Sequence, residues 1–253
     1  MTKIIMNGAC GRMGKVIAGL VQNREDAEIV AGVDIADDGM SEFPVFTDIN
    51  MCDTEADVII DFSSPSVTDK VIDYAVKKQI PAIICTTGLS SEQRDYIRKA
   101  SKNVAILMSG NMSLGINTII SMLKNISDTF CKNGFDVDIV EQHHNNKLDA
   151  PSGTALMLAD AINDAEDGRY EYVYDRSARR EKRPKDEIGI SSVRAGSIPG
   201  IHEVIFAGPD EVIEIKHTAY SRAVFGNGAV CAAVFLAGKE PGMYDMNDVI
   251  ASR

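Results

Sequence analysis

Lys3-Ile4-Ile5-Met6-Asn7-Gly8-Ala9-Cys10-Gly11-Arg12-Met13-Gly14 is the stretch on which the reading of the fold turns. Ile4 to Met6 make a short apolar run suited to a buried strand, and beyond the glycines Val16, Ile17, Leu20 and Val21 recur at helical spacing. The order predicted is strand, glycine turn, helix. A second strand, Glu28 to Val33, ends in Asp34, twenty residues beyond Gly14. A dinucleotide-binding unit carries its ribose-binding acid at this place, and its glycines give a tight turn, close approach of backbone to pyrophosphate and close helix–sheet packing. Here the glycines are spaced GxxGxxG, with Cys10 at the central glycine of the commoner pattern. Asp34 would bond the ribose hydroxyls and repel a phosphate there, and Ile35 and Ala36 supply no arginine to welcome one. NADH is therefore expected to be favoured over NADPH.

Downstream the same pattern repeats. Ala56 to Phe62 reads as a buried strand, followed by Ser63 to Ser66 and a helical pattern through Val67, Val71, Ile72, Ala75 and Val76. Ile80 to Cys85 runs into Thr86-Thr87-Gly88, Glu92 to Ala100 is a polar helix, and Val104 to Met108 ends in Ser109-Gly110-Asn111-Met112. This alternation predicts a doubly wound parallel sheet, whose ligands lie beyond the carboxyl ends of the strands. The turns at Phe62-Ser63, Cys85-Thr86-Thr87 and Ser109 to Met112 would all face that crevice. Tyr74 and Lys78 form a YxxxK pair, as in short-chain dehydrogenases, but on the first helix after the Asp61 strand. That is too early for such an enzyme, and the pair reads as an ordinary helix face.

The period changes in the second half. Leu114 to Phe130 is an amphipathic helix that would link two lobes, and Phe135 to Glu141 alternates as a half-buried strand should. Asp164 to Glu187 is dense in charge and poor in apolar residues, so a mobile loop is expected. Ile188 to Val193, Gly200 to Phe206 and Glu211 to Thr218 read as strands with no helix between them, which implies an antiparallel or mixed sheet with an open face suited to self-association. Arg222 to Ala237 is small and apolar enough to be a buried helix returning to the first lobe.

The densest chemistry lies in EQHHNNKLDAPSGTA, Glu141 to Ala155. A helix is expected to start near Pro151, capped by Ser152 or Thr154. The first N–H groups of such a helix have no internal partner, so Gly153 and Thr154 offer donors to a carboxylate. Lys147 adds a positive charge, and His143 and His144 can hold or give a proton near neutral pH. The cluster reads as a proton donor beside a cradle for a small anionic molecule. A solvated strand-to-helix loop would explain any one of these residues, but not the whole set.

Composition narrows the class. A net charge of −11 over 253 residues, with no basic stripe, opposes nucleic-acid binding. No apolar run is long enough to span a membrane, and Met1 leads straight into a strand, so a cytoplasmic location is the expectation. Five scattered cysteines show neither a CxxC pair nor a metal-ligand spacing, and no metal is expected.

With GACGRMG, the DFS and TTG turns, GNMSLG, the histidine segment, SRAVFGNGA and GKEPGMYDM in hand, the chain resembles the dihydrodipicolinate reductase family of lysine and diaminopimelate biosynthesis over nearly its whole length. The resemblance implies a nucleotide-binding domain of residues 1–112 and 222–253, Rossmann-type, and a substrate-binding and oligomerisation domain of residues 113–221 whose sheet builds a homotetramer. It implies hydride transfer from NADH or NADPH, with His143 as general acid and Lys147 as second proton donor. His144, Ser152, Gly153 and Thr154 fall at the substrate carboxylate. Gly8, Ala9, Cys10, Gly11, Arg12, Met13, Asp34, Cys85, Thr86, Thr87, Ser109, Gly110, Asn111 and Met112 fall at the cofactor. Cys85 stands where many relatives have glycine, and Ile35 where some carry an arginine for the NADPH phosphate. The other readings left by the residues alone are a different NAD-dependent dehydrogenase of small amino or keto acids and a non-catalytic NADH sensor. The sensor would have no need of His143 with Lys147.

Overall fold

A computed structural model describes residues 1–252. The chain divides into two compact units, Met1–Leu114 with Arg222–Arg253, and Gly115–Ser221. The first runs β1 (Thr2–Asn7), α1 (Arg12–Val21), β2 (Ala27–Val33), β3 (Val45–Phe46), a single 3-10 turn (Ile49–Met51), β4 (Val58–Asp61), α2 (Pro65–Lys78), β5 (Ala82–Ile84), α3 (Ser91–Ala100) and β6 (Ala105–Met108). Then α4 (Leu114–Lys132), β7 (Asp136–His143), α5 (Gly153–Ala165), β8 (Glu171–Val173), β9 (Glu187–Arg194), β10 (Gly200–Ala207) and β11 (Val212–Ala219) carry the chain through the second unit. It closes with α6 (Ala223–Leu236), β12 (Gly242–Tyr244) and α7 (Met246–Ala251).

The first sheet has the order β12-β6-β5-β4-β1-β2-β3, with every pair parallel. Alternate residues of one strand feed opposite cores. Ile4 and Met6 pack with Ile17 of α1 and Ala229 to Ala233 of α6, while Ile5 packs with Val71, Ile72 and Ala75 of α2 and Ile97 of α3. Each such side chain, fully withdrawn from water, contributes about 1.5–3 kcal/mol. Covered on both faces, the strands are continuous apolar runs, as a doubly wound sheet requires. Strand order reverses direction between β1 and β4, so their carboxyl ends, Asn7 and Asp61, flank the switch point where such sheets bind ligands. Tyr74 is buried in the α2 core and donates to Cys52 O at 2.8 Å, and Lys78 lies over its ring, so the YxxxK pair is packing and not chemistry.

The second sheet is mixed, in the order β11-β10-β7-β9-β8. β7 is antiparallel to β10 and parallel to β9, so it is flanked on both sides and its termini are well fixed. One face, through Val137, Ile139, Ile188, Ile190, Val204 and Phe206, packs on α4 and α5. The parallel sheet with helices on both faces, followed by this mixed sheet, agrees with the expected fold class.

The charged stretch before Glu187 departs from expectation in part. α5 extends through Ala165, Glu171–Val173 pairs in parallel with β9, and three of the arginines that follow are tied down. Arg176 and Arg179 pair with the carboxylate of Glu187, the latter at 3.0 Å, and Arg183 pairs with Asp136 at 2.9 Å and donates to the carbonyls of Val137 and Glu187. Glu187 is almost fully buried, and a buried carboxylate persists only with such partners. Residues 174–186 form a mostly exposed loop, as expected, but three of its arginines are drawn into an ion network at the starts of β7 and β9.

Candidate functional site

In the first unit the glycine turn lies between β1 and α1. Gly8 has φ +84°, and a Cβ there would lie 2.5 Å from Phe62 O; at Gly14 it would lie 2.3 Å from the carbonyls of Gly8 and Ala9. Both positions therefore admit only glycine. No side chain caps α1, whose N-cap is Gly11, so its first N–H groups are left for an anion. Asp34 closes β2 and accepts from Cys10 N at 2.8 Å and Ile35 N at 2.7 Å, which ties the acid to the turn. These features fit the pyrophosphate and ribose of a dinucleotide.

The other expected cofactor residues divide by exposure. Ala9, Cys85, Asn111 and Met112 are buried, whereas Gly11, Arg12, Thr87 and Gly110 are exposed. Thr86 turns its hydroxyl inward to Asp61 at 2.8 Å, and Ser109 Oγ donates to Asn111 O at 2.8 Å. The two later turns thus offer mainly backbone.

In the second unit β7 delivers Glu141 and His143 to the same face, two residues apart. Glu141 is fully buried, and its carboxylate takes Arg194 bidentately: Nη2 donates to Oε1 at 2.7 Å and Nη1 to Oε2 at 2.8 Å. Ser152 N donates to Oε1 at 3.1 Å, and Oε2 lies 2.5 Å from His143 Nδ1. Burial alone would push this carboxyl up, but its bonds to Arg194 and His143 prevail and hold it at about 2. Burial lowers the proton affinity of His143; Glu141 pushes it back up, and the Lys147 and Arg194 charges lower it, for a net downward displacement. His202 of β10 meets the His143 ring edge-on, with centroids 5.1 Å apart, and burial drives its own value down to about 3.

The loop after β7 is pinned by His144 N donating to Ile198 O and Lys147 N to His144 O. Lys147 Nζ lies 2.9 Å from Asp149 Oδ1, and Arg194 Nη2 also donates to Asp149 O at 2.6 Å. α5 begins at Gly153, two residues past Pro151, with Ser152 as N-cap accepting from Ala155 N at 3.1 Å. Ser152, expected at the substrate, is buried; its hydroxyl serves the cap and lies 2.9 Å from His202 Nε2, and its N–H serves Glu141. It positions the helix start rather than offering a free hydroxyl. Gly153 is exposed with nothing within 4 Å of a Cβ placed on it, so the space above it is open. Among the described residues His144 Nδ1 is buried without a hydrogen-bond partner.

The structure brings His143, Glu141, Arg194, Ser152 and His202 into one network. Residue-by-residue reading passed over Glu141, Arg194 and His202. Glu141 alone had a local signal, a charged residue at a core-facing position of an alternating strand.

Comparison with known proteins agrees with this architecture. Residues 2–112 match the dihydrodipicolinate reductase N-terminal family model and residues 115–250 the C-terminal one. The chain belongs to the dihydrodipicolinate reductase family. A 4-hydroxy-tetrahydrodipicolinate reductase of Caldanaerobacter subterraneus subsp. tengcongensis is 50% identical over 250 residues, covering 99% of this chain and 98% of the relative. That of Clostridium tetani is 49% identical over 252 residues, covering 100% and 98%. In fold, the chain is similar to a dipicolinate-bound dihydrodipicolinate reductase of Paenisporosarcina sp. TG-14, with a TM-score of 0.81, 24% identity and 99% of each chain covered. As a member of the dihydrodipicolinate reductase family the chain is a nicotinamide-dependent oxidoreductase, which disposes of the sensor reading. Among the described residues no helix is long and apolar enough to cross a membrane.

Proposed function

We propose that this reductase converts 4-hydroxy-tetrahydrodipicolinate to tetrahydrodipicolinate in lysine and diaminopimelate biosynthesis, with the first unit binding the dinucleotide and the second the substrate. One observation supports the site above all: His143 held against buried Glu141 at the end of β7, in the same loop system as Lys147 and the uncovered start of α5. Overall one hydride and one proton enter and the 4-hydroxyl leaves as water.

When bound, the cofactor supplies the hydride. The Gly8–Gly14 turn and the first N–H groups of α1 would hold its pyrophosphate and Asp34 its ribose, while the turns at Cys85 to Thr87 and Ser109 to Met112 line the rest. Gly153 and Thr154 N–H groups, with His144, would take a substrate carboxylate. Electron density arriving on the conjugated imine is neutralised by a proton from His143 Nε2, and Lys147 serves as the second donor. Hydride arrives only if the acceptor is held still, which is the task of the carboxylate cradle. NADH would be favoured because an acid at the end of β2, Asp34, would repel a 2′-phosphate, and the neighbouring Ile35 is a nearly fully exposed aliphatic side chain with no charge to attract one. The five cysteines, all unpaired, suit a reducing cytoplasm.

The experiment is loss of reduced-nicotinamide absorbance with freshly made dihydrodipicolinate synthase product, run separately with NADH and NADPH. Rapid oxidation, with a higher kcat/KM for NADH, is expected. No oxidation with this substrate, but oxidation with another small amino or keto acid, would transfer the site to a different dehydrogenase.

The open face of the mixed sheet supports a homotetramer. Val140, Gln142, Ile201 and Ile205, partly covered, and Ser191 and Val193, exposed, lie on it, opposite the helices. A sheet face carrying that many aliphatic groups is suited to burial against a second copy. Light scattering coupled to gel filtration should give four times the 27.4 kDa chain mass; a monomer would end this reading.

A further inference from the structure

We propose that Glu141, clamped by Arg194, is the positioning residue of the proton donor: it fixes His143 with Nδ1 inward, so that Nε2 alone faces the substrate, and supplies the negative charge that lets this buried ring carry a proton. The proposal rests on the reading of His143 as the acid.

The geometry leaves the carboxylate no freedom. Both oxygens of Glu141 are engaged, Oε1 by Arg194 Nη2 and Ser152 N and Oε2 by Arg194 Nη1 and His143 Nδ1. Three segments therefore converge on one fully buried acid: β7, which carries it and His143, β9 with Arg194, and the residue before α5. A carboxylate so held accepts but does not donate, so Nδ1 must carry a hydrogen and Nε2 is the nitrogen left to give one. From β10, a Cβ at Gly200 would lie 3.1 Å from Nε2, so glycine there leaves room for the ring in this orientation.

The charges around the ring explain why a carboxylate is needed. Lys147 and Arg194 face it as cations, Asp149 pairs with Lys147, and Glu141 is the acid in contact. His202 of β10 is held neutral by burial, burial also lowers His217 of β11, and His144 follows in the loop. Without the charge on Glu141, a buried imidazole would face two cations and hold a proton still more weakly than it does beside that carboxylate. A neutral ring has no readily transferred proton. A tie that merely held β7, β9 and α5 together would need the shape of Glu141 but not its charge, and Glu141→Gln separates the two.

The chain has only four histidines, so 15N-histidine labelling resolves each ring by solid-state NMR. In the wild-type protein His143, when neutral, should carry its hydrogen on Nδ1. In Glu141→Gln the ring should titrate at lower pH than in the wild type. Its kcat should fall about 10–10²-fold, and the limb of kcat that declines with rising pH should move to lower pH. KM for substrate and for NADH should stay within about threefold, because the lost term belongs to the transition state. A wild-type ring protonated on Nε2 when neutral would overturn the proposal without need of any variant. An unmoved limb with loss confined to KM would reduce Glu141 to a structural tie. If the wild-type protein did not turn over the substrate, the reaction proposed above would fall, and the His143 tautomer and titration would still decide the coupling.

Discussion

His143→Ala is expected to lower kcat about 10²–10⁴-fold, the range a positioned acid contributes. KM for NADH should be nearly unchanged, since the residues proposed to hold the dinucleotide lie in the other compact unit. The size of the loss follows from how little else can replace the ring. Lys147 is engaged by Asp149 at 2.9 Å, and His202 is held neutral far below physiological pH by burial. Water could enter the space left by the imidazole beside Glu141, but it is a far weaker acid than a protonated imidazole. The pH profile carries a sign as well. Burial and the two nearby cations lower the proton affinity of His143, so the protonated, competent fraction falls as pH rises through that lowered value. The wild-type enzyme should therefore lose rate on the alkaline side, and in His143→Ala this limb should disappear. Single-turnover oxidation of NADH measured across pH tests both claims. Wild-type rates in the variant would place the acid elsewhere.

How much of this was legible in the chain depended on whether the signal was local. The glycine turn, the acid closing β2 and the apolar runs of β4, β5 and β6 are each contiguous, and together they gave the parallel sheet. β3 and β12 are strands of two and three residues, too short to show a period, and they escaped notice. The stretch before β9 misled in part because charge density reads as solvation, whereas Glu187 is buried among arginines that a linear sequence cannot show to be its partners. Glu141 was visible within the histidine segment, yet its meaning lies in Arg194, fifty-three residues on. A side-chain network between neighbouring strands leaves no periodic trace. Residue types with evident chemistry were therefore singled out, and the partners that hold them in place were not.

Asp61 is another such residue, and Asp61→Ala is expected to destabilise the fold by about 3–5 kcal/mol and to weaken NADH binding about tenfold or more. Asp61 is fully buried at the carboxyl end of β4, in register with Asn7 at the end of β1, on the two strands between which the sheet reverses its order. Its Oδ1 accepts from Asn7 Nδ2 at 2.7 Å and from Ser63 Oγ and N at 2.5 and 3.2 Å; Oδ2 accepts from Thr86 Oγ1 at 2.8 Å and, at 3.4 Å, from Thr68 Oγ1. None of these partners is a cation, so the buried charge is stabilised by hydrogen bonds alone. Truncation leaves Asn7 and Thr86 with buried donors, and Ser63 with half-buried ones, lacking their acceptor, and a lost network of this kind belongs to the most damaging class of substitution. Asn7 ends β1, and Ser63 and Thr86 sit on the turns after β4 and β5, so the turns proposed to frame the dinucleotide site lose their common anchor. Asp61→Asn should be milder in both respects, because one oxygen remains and the hydroxyls of Thr86 and Thr68 can rotate to accept from the new amide. Urea unfolding and titration with NADH, compared across the two variants, separate a hub from a bystander: equal midpoints and equal affinities in alanine and wild type would mean that the turns hold themselves.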